Sequence, residues 1–166
     1  LIKFVMSTTI SKLKDKVAAY NQVLEHTIVY RKKWRDTAKD LLINTIKSFL
    51  SESGLKGKLV ENNEMENLEF IALDLGRSSS GISQGKGTDD IKNFMIKNNG
   101  ALTYQQLFNG KIMVMVQSPY IEGYGELKEP QFLEIVRPDE LSVALIHEHM
   151  ENLLDIITEW EDFDDD

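Results

Sequence analysis

From Ser7 to Ser51 the chain contains neither glycine nor proline. Such a stretch reads as helix, because the two residues that most often end one are missing. Ser7 or Thr8 can cap its start, since a hydroxyl accepts from a free first-turn amide. Gly54 can end it in a left-handed conformation. Ile10, Leu13, Val17, Tyr20 and Leu24 recur at 3,4,3,4 spacing, the seam of a coiled coil. The seam then shifts. Ile28, Trp34, Ala38, Leu41, Leu42, Ile46 and Phe49 make a broader stripe, and the basic run "YRKKWRD" (30–36) sits at the shift. Two arrangements fit: one helix of roughly 65 Å, or a hairpin broken near residues 25–31. A single helix of that length cannot bury its whole stripe on a small domain and needs a partner chain.

Charge divides at the end of this segment. Residues 1–60 hold 12 Lys/Arg against 5 Asp/Glu, a net +7, and residues 61–166 hold 7 against 22, a net −15. Asymmetry of this kind points to partners or to self-docking, the basic part lying on the acidic part within one molecule or between molecules. The chain has no cysteine. That excludes a disulfide framework, a thiolate zinc site and a cysteine nucleophile, and it fits a reducing cytosol, so a cytoplasmic location is expected. No apolar run reaches the roughly 18 residues of a membrane span, and "LIKFVM" lacks the features of a secretory signal. Met6 is a candidate natural start.

The middle of the chain reads as strands. Segments 57–63 and 67–75 pair as neighbours, and Phe70–Leu73 is apolar on both faces, as in a strand covered on both sides. Residues 76–87 read as a loop. "TDDIKNFMIKNNG" (88–100) reads as a short helix capped by Thr88. Asn109-Gly110 supplies the two positive φ values of a type I′ turn joining strands 101–108 and 111–117. Residues 118–130 read as a loop and "QFLEIV" (131–136) as a last strand. The closing segment is an amphipathic helix with Pro138 in its first turn. Its seam is Val143, Ile146, Met150, Leu153, Ile157 and Trp160, and an acidic tail follows.

Within that helix "LIHEHMEN" (145–152) invites a metal or acid/base reading. Helical geometry rejects the obvious version. His147 and His149 are two apart and point about 160–200° away from each other, whereas a zincin pair sits four apart. His147 and Glu151 do share a face, so they are the weak metal candidates, a half-site at most. The same face carries an acidic stripe of Glu148, Glu151, Asp155, Glu159 and Asp162. It is either a solvated flank or a docking face for the basic Arg31, Lys32, Lys33, Trp34 region or for a partner.

Other candidates are weaker. "GISQGKGT" (81–88) fails the phosphate-loop motif by spacing, and Gly87 stands where the motif needs Ser or Thr. Lys86 with nearby free amides still offers an anion site. Tyr120 and Tyr124 lie on the 118–130 loop, where exposed aromatics cue interaction. The basic-aromatic run at 30–35 suits nucleic acid in type, but an acidic protein disfavours that partner.

These readings define an α+β chain. An N-terminal helical segment (1–54), basic and either a long helix or a hairpin, precedes an α+β domain (55–166). That domain holds an antiparallel sheet of about five strands, one short inserted helix, an amphipathic C-terminal helix and an acidic tail. The order resembles PAS-like or profilin-like sensor folds in element order only, and no motif extends the resemblance to function. The expected function is a non-enzymatic interaction protein that self-associates through amphipathic helices, its partner a second copy or another protein, without a membrane and without a cofactor. One alternative is a ligand-binding or sensor domain with a pocket lined by Phe94, Met95, Met113 and Met115. The other is a metal-assisted hydrolase around His147, Glu148 and Glu151.

Overall fold

The computed structural model describes residues 2–83 and 93–164, with side chains from residue 7 onward. Of the two N-terminal arrangements, the long helix is the one that forms. Helix α1 (Ile2–Lys33) passes through a single π-turn (Trp34–Ala38) into α2 (Lys39–Ser53). At the turn the Lys39 N–H bonds the Trp34 carbonyl, an i→i+5 pairing. The extra residue rephases everything upstream. That is why the seam through Leu24 and the stripe beyond Trp34 do not share one line. Gly54 ends the rod at φ 71°, its N–H on Leu50 O.

Only the second half of this rod is in the core. Trp34, Ala38, Leu42, Thr45 and Ile46 are buried against the sheet. The sheet contains β1 (Lys58–Asn62), β2 (Phe70–Asp74), β5 (Ala101–Gln106), β6 (Ile112–Gln117) and β8 (Gln131–Val136), in the order β1-β2-β5-β6-β8, all antiparallel. These are the five strands expected at 57–63, 67–75, 101–108, 111–117 and 131–136. Helix α3 (Val143–Glu161) lies on the same face as α2 and buries Ile146, His149, Met150 and Leu153.

Several expectations need correction. The inserted helix at 88–100 is not borne out in the described part, because Phe94–Asn98 is strand β4. It pairs with β3 (Arg77–Ser83), which lies in the expected 76–87 loop, and with the two-residue β7 (Tyr120–Ile121) in the expected 118–130 loop, giving a second, three-stranded sheet. Phe94–Ile96 is an unbroken apolar run that helix and strand patterns share, and pairing with β3 and β7 makes it strand. Among the described residues the PAS-like element order has a strand where its helix was expected. The β5–β6 hairpin forms, but not on a type I′ turn: Gly110 has φ 82° and Asn109 is not in the positive-φ region. The Gly110 N–H bonds Leu107 O, and Leu107 N–H bonds Lys111 O, as in a three-residue loop closed by a left-handed glycine.

Two further boundaries move. Pro138 opens a short 3-10 turn, not α3, which starts at Val143 with the Ser142 hydroxyl accepting from Leu145 N–H at 3.1 Å. The main sheet has one helix-covered face. Its other face is half-buried at Met113 and Met115 and exposed at Phe132 and Ile135, whereas in β2 the consecutive residues Ile71, Ala72 and Leu73 are all buried, so that strand is covered on both sides through its middle as expected.

Candidate functional site

The rod divides into a docked half and a projecting half. Eight apolar side chains from Ile10 to Val29 are 46–68% exposed, whereas Trp34 is fully buried. Residues 7–29 thus form an arm about 35 Å long whose seam side chains stay about half exposed or more. The β5–β6 hairpin marks where the arm leaves. Gly110 lies so close to the helix that a Cβ there would stand 2.7 Å from Tyr30 Cβ and 3.1 Å from Thr27 O. Arg31 Nη2 donates to Phe108 O at 2.7 Å from the same turn.

Just beyond, Trp34 anchors the rod. Its indole N–H donates to Glu69 Oε1 at 3.3 Å, and Lys39 Nζ reaches that same oxygen at 3.0 Å. Glu69 is itself held by backbone bonds to Gln106 of β5, whose side chain accepts from Glu69 N–H. One carboxylate therefore ties helix, sheet and the β1–β2 connection together.

Between α2 and α3 runs an open groove of about 760 Å³. Leu41, Phe49, Val143, Met150 and Leu154 give it an apolar lining, and Glu52 on one wall and Glu151 on the other give it acidic sides. His147 also lines it, so the i,i+4 pair of His147 and Glu151 does share a surface. Among the described residues, no three His, Cys, Asp or Glu side chains cluster as a metal site would need.

Beneath α3 lies a buried polar chain that attention to His147 overlooked. Register places Tyr104 opposite Val114 and Val114 opposite Glu134, so one row across three strands faces α3. A register shift between Val114 and Met115 helps set which way Glu134 points. His149 spans this row, with Nδ1 2.8 Å from the Tyr104 hydroxyl and Nε2 2.6 Å from Glu134 Oε1. With a neutral ring, the hydroxyl donates to Nδ1 and Nε2–H donates to the carboxylate, so both ring nitrogens are paired. Burial, reinforced by Glu134, raises the Tyr104 pKa far above the usual phenol range. Tyr104 therefore keeps its proton past the ordinary phenol range. The signal was present: His149 is three after Ile146 and four before Leu153, on the apolar side.

The other predicted residues separate. Trp34 is a correction: it is core, not part of an exposed binding patch, because the π-turn aims it at the sheet. Arg31 is half-buried against the hairpin, while Lys32 and Lys33 are exposed. Among the described residues no ion pair joins this region to α3. Glu148, Glu151, Asp155, Glu159 and Asp162 are all exposed along α3. Tyr120 is half-buried in β7, Tyr124 is 63% exposed, and Lys86 lies outside the described residues. Val143, expected in the seam, is half-exposed at the groove. Phe94 and Met95 belong to the second sheet and Met113 and Met115 to the main one, and the expected helix over them is replaced by strand β4.

No protein-family model, curated protein or solved structure matches this chain. Among the described residues no helix is long and apolar enough to cross a membrane.

Proposed function

We propose that the chain is a non-enzymatic interaction protein that self-associates, and that the arm of residues 7–29 is its association element. The observation that carries this reading is the exposed seam. Ile10, Leu13, Val17, Tyr20 and Leu24 recur at coiled-coil spacing and remain about half exposed or more. A contiguous apolar patch of this kind on a monomer marks an interaction site. Pairing across a two-fold axis is the default for such a chain, since the same patch is then used twice.

Light scattering coupled to size exclusion, at low and high salt, tests the reading. A dimer that dissociates in Leu13→Asp/Val17→Asp is the expected result. A monomer at every concentration and salt would sink it. Salt sensitivity in the wild type would assign part of the association to the basic flank of the arm.

A further inference from the structure

The arm's flanks show what kind of surface it fits. On a helical wheel Lys14 and Lys16 stand on opposite sides of the seam, each about 70–90° from its centre. Asp15 lies on the far side and Glu25 well off the seam. The positions that border the seam, Thr9, Lys14, Lys16, Asn21, Val23, Ile28 and Tyr30, include no acid. Two arms zipped together would therefore bring no carboxylate to either lysine.

The groove between α2 and α3 supplies what the arm lacks. Its apolar side chains lie among the neutral polar Asn44, Thr45, Ser48 and Ser53, and it has one carboxylate on each wall, Glu52 and Glu151. Both acids are exposed, and among the described residues neither is in an ion pair. The arm runs about 35 Å and its walls, α2 and α3, about 22 and 28 Å, so only the part of the arm around Lys14 and Lys16 need lie in the groove. A chain cannot fill its own groove this way. The arm is continuous with α2, which is one of the walls, and Trp34 is locked in the core between them.

From these observations we infer that the groove is the receptor for the arm of a second copy of this chain. The seam packs on Leu41, Phe49, Val143, Met150 and Leu154, and Lys14 and Lys16 meet Glu52 and Glu151. Reciprocal exchange of arms makes a closed dimer with two identical interfaces. This inference rests on the self-association reading but is separable from it.

The test is a charge swap read by light scattering over a concentration series, with circular dichroism confirming that each variant keeps its fold. Glu52→Lys/Glu151→Lys should raise the dimer dissociation constant about tenfold or more, because like charges would face each other. Lys14→Glu/Lys16→Glu in the same chain should restore it toward the wild-type value. If the groove variant assembles as well as the wild type while Leu13→Asp/Val17→Asp is monomeric, arm–arm pairing stands and groove docking is overturned. Weakening without rescue also overturns it, because the acids would then serve another contact. A monomeric wild type removes both readings.

Discussion

The hydroxyl of Tyr104 lies 2.8 Å from His149 Nδ1, on the edge of the ring opposite the one that meets Glu134. Removing the hydroxyl leaves a buried ring nitrogen without its donor. Tyr104→Phe should therefore lose about 1–3 kcal/mol of unfolding free energy, the cost of an unsatisfied buried group. Urea denaturation of the two proteins measures it. No change would mean that the contact is only a packing neighbour.

The same contact predicts an alkaline response. The folded pKa of Tyr104 is raised above its ordinary value of 10.0 by burial. Below pH 10 both folded and unfolded chains hold the proton, so the stability is fully present. As pH rises past 10 the unfolded chain releases the proton and the folded chain retains it, so stability falls. In an absorbance titration at 295 nm, one of the five tyrosines should ionise only as the protein unfolds. A normal titration of all five in the folded state would refute the buried hydroxyl.

Gly110 should tolerate no side chain. Its φ is 82°, and a Cβ there would press on Tyr30 and on the helix backbone at Thr27 and Arg31. Gly110→Ala should cost about 2–5 kcal/mol, combining left-handed strain with overpacking. A melt within a degree of wild type would show that the hairpin tip yields freely.

One helix should give opposite answers at two positions. Trp34→Ala removes a fully buried indole and should cost about 3–5 kcal/mol. Val17→Ala, on the exposed arm, should change the stability of the dilute monomer by less than about 0.5 kcal/mol. At higher concentration, where assembly adds to apparent stability, the Val17 effect should grow. Denaturation at two protein concentrations separates the cases.

Much of the fold is legible in the sequence because its signals are local. Short apolar runs bounded by turn residues mark the five strands of the main sheet, and the absence of glycine and proline marks the rod. The failures have physical causes. The strand Phe94–Asn98 is short and follows a convincing cap, and its run of three apolar residues carries no period that separates strand from helix. Asn-Gly announces a tight turn, but the neighbouring helix and the Leu107–Lys111 bond settle which turn it is. Trp34 sits in a basic run that suggests a surface patch, yet its spacing with Ala38, Leu42 and Ile46 also puts it in the apolar stripe, and the stripe is the reading that holds. The acidic face of α3 was readable from spacing alone. The groove was not, since it needs two helices placed by tertiary packing. His149 was readable in part: the seam places it inside, but only strand register supplies Tyr104 and Glu134.

The continuity of the long helix has a mechanical consequence. A rod fixed at one end and free for tens of ångströms is a lever, with Trp34 at its fulcrum. A sideways load on the tip reaches the body as torque at the indole, Glu69 and the hairpin turn around Arg31. Whatever grips the far end of the arm therefore tugs on the middle of the core.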